Sequence, residues 1–307
     1  MNKEVIILLA TYNGELYLRE LLDSIINQTY KNWKLIISDD GSTDNTRNII
    51  KEYEAKYQKQ IMFVDLKQKF GSATKHFMNL LNKYQDSDYI MFCDQDDVWH
   101  SNKIEITLNK MNKLEEISDV NLVFTDLRVV DDNLNLLHSS FMEFMQLNSK
   151  AYPEKLILEN CISGCTMMLN KKLIKLVIKN YDNEKIIIYD WWITLIASSL
   201  GKIGYADEAT IDYRQHNSNV VGATDKNSLK TIFIKAKNRK ENHQKKLLQA
   251  NEIYNLYNQE MNEESKKLYK AIHDNYNLSK INRLTMYRKY KMYPKNILQK
   301  ISIVIWG

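Results

Sequence analysis

The sequence predicts an α/β fold, a mostly parallel central sheet flanked by helices, with a helical appendage at the C-terminus. Three observations carry this. Short, wholly apolar runs alternate with segments of helical periodicity through the first 125 residues, and such alternation implies parallel strands with helices on both faces. Polar clusters follow three of the apolar runs, as TYNG, DDGSTD and DQDD. Beyond Asn227 the chain turns to Lys, Asn, Gln and Tyr in helical spacing, with Pro294 its only proline.

The elements follow in order. VIILLA (5–10) reads as a strand buried on both faces. TYNGE breaks it, and apolar residues at 17, 18, 21, 22, 25 and 26 set a helix over Tyr17 to Gln28. KLIIS (34–38) is a second strand, stopped by DDGSTDNT, where Ser42 or Thr43 can cap the next helix. IMFVDL (61–66) is a third strand, Gly71 to Leu81 a helix, YIMFC (89–93) a fourth strand and NLVFTDL (121–127) a fifth. VVDDNLNLL reads as a hairpin arm, and SGCTMMLN as a strand before the helix KKLIKLVIKN. YDWWITLIASSLG is an amphipathic helix ended by Gly201, and KIGYADEATIDYRQH two short strands.

Length and composition narrow the class. A chain of 307 residues suits a core domain plus an added module, and 44% hydrophobic with 26% charged residues describes a globular protein. The net charge of +5 leans toward anionic partners. Cys93, Cys161 and Cys165 are too few and too odd in number for a disulfide framework, and no second Cys or His pair makes a zinc site. The apolar N-terminal run is too short for a signal peptide, and no run reaches the ~18 residues of a spanning helix. A cytoplasmic protein, or one peripheral to the inner face of the plasma membrane, is expected.

In parallel sheets ligands bind beyond the carboxyl ends of the strands, so three polar clusters at those ends define one site. In Asp94-Gln95-Asp96-Asp97 an extended chain points Asp94 and Asp96 the same way. Two such carboxylates repel unless a cation sits between them, and Mg²⁺ or Mn²⁺ suits hard oxygen ligands. An EF-hand loop fails, since Val98 and Trp99 replace a ligand and the turn glycine. Asp39 and Asp40 end a buried strand, where a carboxylate accepts from a base N–H or a ribose hydroxyl, or belongs to a helix-capping box. Thr11-Tyr12-Asn13-Gly14 offers a ring that can stack on a base, or is a polar turn. In Tyr189-Asp190-Trp191-Trp192 the carboxylate is a helix cap, or a general base of raised pKa between Trp191 and Trp192 as walls of a sugar pocket. Arg214 and His216 near a metal can bind a diphosphate, or lie in an exposed loop.

Together, ATYNGELYLRELLDSIINQTYKNWKLIISDDGSTD and YIMFCDQDDVWHSNKIE resemble family 2 glycosyltransferases of the Rossmann-like GT-A fold, over roughly residues 3–222. SGCTMMLN, YDWWITLIA and YRQHNSNVVGA are similar to bacterial rhamnosyltransferases of surface-polysaccharide assembly. The resemblance implies a glycosyltransferase domain over 1–222, divided into a nucleotide-binding half (1–126) and an acceptor half (127–222), followed by a basic helical region over 223–307. It implies a nucleotide-sugar donor held by Thr11, Tyr12, Asn13, Asp39, Asp40 and Asp94, with Tyr12 on the base and Asp40 contacting it. It implies Mg²⁺ or Mn²⁺ at Asp94 and Asp96, with His216 nearby, and Asp190 as the catalytic base of an inverting transfer. Gly164, Cys165, Trp191, Trp192 and Arg214 would line the diphosphate and acceptor pocket. The signature Gln-x-x-Arg-Trp of processive synthases is absent.

A nucleotidyltransferase would need a glycine-rich basic loop after the first strand, and a dinucleotide oxidoreductase G-x-G-x-x-G at the same place; TYNGELYLRE supplies neither. A catalytically inactive assembly partner is the other alternative, and intact acids at 40, 94, 96 and 190 speak against it. Nucleic acid is excluded as a partner by the acidic cluster at the crevice. Lys235, Lys237, Arg239, Lys240, Lys245 and Lys246, then Arg283, Arg288, Lys289, Lys291 and Lys295 among tyrosines, suggest an anionic membrane surface carrying a lipid-linked saccharide acceptor, or a homodimer through the C-terminal helices.

Overall fold

The structure is a computed structural model describing residues 3–145, 147, 152–179, 181–215, 229–275 and 280–292, with side chains for all of these except 183, 229–242 and 280. Its first half runs β1 (Val5–Thr11), α1 (Leu18–Ile26), β2 (Trp33–Asp39), α2 (Thr46–Lys56), β3 (Ile61–Phe63), α3 (Ala73–Lys83), β4 (Tyr89–Cys93), β5 (Val98–Trp99) and α4 (Lys103–Glu115). There follow β6 (Asn121–Val130), β7 (Leu136–His138), α5 (Phe141–Phe144), α6 (Pro153–Leu156), β8 (Met167–Asn170), α7 (Lys171–Ile178), α8 (Tyr189–Leu200) and β9 (Lys202–Arg214). The chain closes with α9 (Leu229–Tyr257), α10 (Glu263–Asn275) and α11 (Lys280–Lys289).

One sheet orders the strands β3-β2-β1-β4-β8-β6-β9-β5, with β7 beside β6. β1 through β4 pair in parallel, as the alternation of strand and helix requires. β8 then runs antiparallel between β4 and β6. It is reached through the short helices α5 and α6 and a 3₁₀ turn, Gly164–Thr166. β6 and β9 restore the parallel direction.

Three expectations change. KIGYADEATIDYR is one continuous 13-residue strand, and register shifts against β6 at Thr125–Arg128 absorb the irregularity that suggested two. The third strand ends at Phe63, since Asp65 and Lys67 form a turn in which Lys67 takes a φ of 53°. α8 is not amphipathic: Tyr189, Trp191 to Ala197 and Ser199 are all buried. The sheet covers one side and α9 and α10 the other, so its apolar residues need no stripe.

The core lies in two layers. Val5, Ile7, Leu9, Leu35 and Ile37 face α1, α2 and α4. Leu8, Ile36, Ile90 and Phe92 face α3, α7 and α8, and the same apolar layer continues through Leu247, Tyr257, Tyr269 and Tyr287 of the last three helices. Gly201 ends α8 because a Cβ there would sit 2.1 Å from the carbonyl oxygen of Val120. Among the described residues no helix is long and apolar enough to cross a membrane.

Candidate active site

The polar clusters meet beyond the carboxyl ends of β1, β2 and β4. Asn13 takes φ 48°, in the left-handed region, where Asn is better tolerated than most residues. Its side-chain oxygen accepts from Thr43 N at 2.8 Å, and its own N–H donates to Ser42 Oγ at 2.8 Å. The first two loops are thus laced together. Tyr12 is fixed through its backbone: its N–H donates to Gln95 Oε1 at 2.9 Å, and Gln95 Nε2 donates back to its carbonyl at 3.0 Å. The ring stays 57% exposed, free to stack on a planar partner.

Asp39 has no exposed side-chain surface. It accepts from Thr11 Oγ1, Gly41 N, Ser42 N and Ser42 Oγ. Its place, and that of the buried Thr11, is to hold the turn rather than to meet a nucleotide directly. Asp40 points to the other side of β2, where it accepts from Phe70 N at 2.5 Å and Gly71 N at 2.8 Å.

The acidic segment is strung between two strand pairings. β4 pairs β1 and β8, and β5, immediately after Asp97, pairs β9 through Val98 with Asp212. Anchored at both ends, the four residues cross the sheet edge through a turn at Gln95–Asp96, so the extended run that would point Asp94 and Asp96 the same way is not formed. An oxygen each of Asp94 and Asp97 and the sulfur of Cys165 lie within 4.8 Å of one another. Burial raises the pKa of Asp94, and the charges of Asp96 and Asp190 raise it further. Asp97 is wholly buried and is pushed up by burial and then by Asp94 and Asp96. Neither oxygen of Asp97 meets an N–H or O–H donor among the described residues. Crowded carboxylates of this kind fit a hard divalent cation such as Mg²⁺ or Mn²⁺, which removes their repulsion. The Cys165 thiol does not suit such a cation, and burial holds its pKa well up. Beneath them, the buried Lys103 ammonium lies 4.7 Å from the Trp99 ring centre, and burial lowers its pKa to about 8.

Asp190 sits in the first turn of α8, but Ile188 is the N-cap residue and no side chain caps the helix. The carboxylate instead accepts from Gly164 N at 3.2 Å and Asn160 Nδ2 at 3.3 Å. Burial raises its pKa to about 7 against hydrogen bonds from the backbone of Trp191 and Gly164 and the side chain of Asn160, which favour the charged form. Gly164 is required by packing, since a Cβ there would lie 1.9 Å from the hydroxyl of Tyr189.

Two expected pocket groups lie elsewhere. Trp191 and Trp192 are core residues whose indole N–H groups donate to Leu156 O at 2.6 Å and Val177 O at 3.2 Å. An indole N–H seeks an acceptor when buried, and the neighbouring helix ends supply one. Arg214 is 1% exposed: Nε donates to Asp96 O at 3.0 Å, and the other nitrogens to Asp132 O and Glu20 Oε2, with the guanidinium 4.5 Å from the Tyr17 ring centre. Held this way it braces the acidic segment from behind and does not face a diphosphate. His216 lies outside the described residues. Gln95, Asn160 and Asp97 are the additional groups: Gln95 sets Tyr12, Asn160 joins the expected Gly164 in holding Asp190, and Asp97 joins the carboxylate cluster. The amide between two aspartates was visible in the sequence, but its partner Tyr12 is 83 positions away.

A family model described as Glycosyl transferase family 2 matches residues 6–177. The dTDP-rhamnosyl transferase RfbG of Shigella flexneri is 32% identical over 224 residues, which is 70% of this chain and 74% of that protein. The UDP-Glc:alpha-D-GlcNAc-diphosphoundecaprenol beta-1,3-glucosyltransferase WfgD of Escherichia coli is 28% identical over 171 residues, 55% of this chain and 61% of its own length. Among solved structures, TarS 1–349 of S. aureus aligns with a TM-score of 0.59 at 17% identity over 97% of this chain and 77% of that one, a likeness of fold.

Proposed function

The chain belongs to glycosyl transferase family 2, and from that premise we propose that it transfers a sugar, with inversion, from a nucleoside diphosphate sugar to a saccharide acceptor in bacterial surface-polysaccharide synthesis. Rhamnose is the first sugar to try, since the S. flexneri relative is named for it. The observation that carries the reading is Asp190. Its carboxylate is held by Gly164 N and Asn160 Nδ2, is tuned to about 7, and is close enough to Asp94 to perturb it. A carboxylate of that pKa can take a proton near neutrality.

In this reading the exposed Tyr12 ring stacks on the base, and Asp40 accepts from its edge. Asp94 and Asp96, with Asp97 behind them, would hold the divalent cation. When bound, that ion neutralises charge on the departing diphosphate. Asp190 receives the proton of the acceptor hydroxyl as its oxygen bonds to the anomeric carbon. The bond from that carbon to the diphosphate breaks on the opposite face. The acceptor is lipid-linked in this proposal, supported by the diphosphoundecaprenol in the name of the E. coli relative. The basic C-terminal region would then rest on an anionic membrane surface at the cytoplasmic side. Most of that stretch's first cluster, and Lys295, lie outside the described side chains.

The test is nucleoside diphosphate release from dTDP-rhamnose, UDP-glucose and UDP-GlcNAc, with Mg²⁺, Mn²⁺ or EDTA. Release from at least one donor, lost in EDTA, is expected. No release from any donor of a full sugar-nucleotide panel, with acceptor present, would sink the reading.

A further inference from the structure

The α3 side of β2 carries two buried polar atoms with no partner. Along β2, Ile36 faces α3 and Ile37 faces α1 and α2, so alternation places Ser38 on the α3 side, and Asp40, in the bend just after the strand, turns to the segment before α3 through Phe70 N and Gly71 N. Ser38 Oγ is buried and unbonded there. His76, on α3, is 2% exposed, and its Nε2 likewise meets no partner among the described residues. Its ring stacks on Phe70 at 4.7 Å between centres, and the Phe70 N–H is one of the two that Asp40 accepts. Asp40 and Asp39 are the charges that act on the imidazole. An orphaned buried donor or acceptor costs about 1–3 kcal/mol, and one on His76, within the field of Asp40, with a second on the same side of β2, marks a place prepared for a polar edge.

We propose that His76 Nε2, with Asp40 and Ser38 Oγ, reads the edge of a pyrimidine-2,4-dione, so that His76 is a base-specificity residue. The proposal rests on the sugar-nucleotide reading above. Such a base presents one imide N–H flanked by two carbonyl oxygens. Asp40, whose oxygens each keep a free lone pair after binding Phe70 N and Gly71 N, accepts the imide proton. His76 Nε2–H donates to a flanking carbonyl. Burial lowers the His76 pKa more than the two aspartates raise it, so the ring is neutral and offers a single N–H. Cytosine, with an acceptor at ring position three and an exocyclic amine, mismatches at both groups. A site built to hydrogen-bond one edge rejects an analogue that leaves its buried groups unpaired.

The test is calorimetric binding of UDP, dTDP and CDP to the full chain. The wild type should bind UDP and dTDP at least about tenfold more tightly than CDP, one hydrogen bond at 1.4 kcal/mol per decade. His76→Phe keeps the stack and the volume, so it should lose about tenfold for UDP and dTDP and leave CDP unmoved. The ¹⁵N resonances of the wild-type His76 ring should shift on adding UDP and not CDP, which keeps the test valid if the variant folds poorly. A UDP-to-CDP ratio that survives His76→Phe, or a ring signal indifferent to UDP, overturns the proposal and leaves an ordered water as the partner of Nε2. Failure of the wild type to bind either UDP or dTDP removes the sugar-nucleotide reading as well.

Discussion

Replacing Asp190 by Asn separates the chemistry of this group from its structural place. Two donors converge on the carboxylate, Gly164 N and Asn160 Nδ2, one on each oxygen. Asn offers a single acceptor, so its amide nitrogen must face one of them, at a cost of about 1–3 kcal/mol. An opposing term depends on pH. The folded pKa is raised to about 7, while an unfolded Asp titrates near 3.9. Across that interval the unfolded chain has released a proton that the folded chain keeps. The contribution of Asp190 to stability is therefore full below about pH 4 and is lost as pH rises to 7, at up to ~1.4 kcal/mol per pH unit. Asn carries no such proton. Asp190→Asn should be less stable than wild type at pH 5, and the gap should close or reverse by pH 7.5, a swing of roughly 2–3 kcal/mol. Turnover should fall by about 10²–10⁴ with nucleotide affinity retained. Urea melts of both proteins at the two pH values, in EDTA, measure the first; nucleoside diphosphate release with acceptor measures the second. A gap that does not change with pH, together with turnover within threefold of wild type, refutes the reasoning.

Three further outcomes follow from the geometry. Asp96→Ala should abolish transfer, because it removes a proposed ligand of the divalent cation; activity of this variant in EDTA equal to the wild type in metal would refute it. Gly164→Ala should destabilise by about 1–3 kcal/mol in thermal melts, since the Tyr189 ring cannot retreat from between Phe77 at 4.6 Å and Phe92 at 5.0 Å. Gln95→Ala should raise the donor KM about tenfold, with little change in kcat, by releasing the two hydrogen bonds that set Tyr12; an unchanged KM removes Gln95 from the site.

β1 to β4 were legible because each is a largely apolar run, while the two-residue β5 is too short to show in the sequence; the candidate acids stood out because they follow those runs. What the sequence hid came from pairing across distance. β8 runs antiparallel between β4 and β6, and nothing in SGCTMMLN states its direction. Trp191 and Trp192 resemble a sugar platform until α9 and α10 are seen to cover α8. Arg214 reads as an anion binder, yet its partners at 20, 96 and 132 are scattered through the chain. His76 gave no signal at all, since a lone histidine in a helix has no period or spacing to betray it.

The apolar layer shared by α8 and the last three helices makes the appendage a wall of the catalytic half rather than a passenger. Tyr257 hydrogen-bonds to the carbonyl of Leu176, and Lys246 to that of Leu158, just before the segment that holds Asp190. A chain cut near residue 222 would leave this layer open to water, and it would aggregate before it could report on activity. The same continuity joins the C-terminal helices, through α8, to the first turn that carries Asp190.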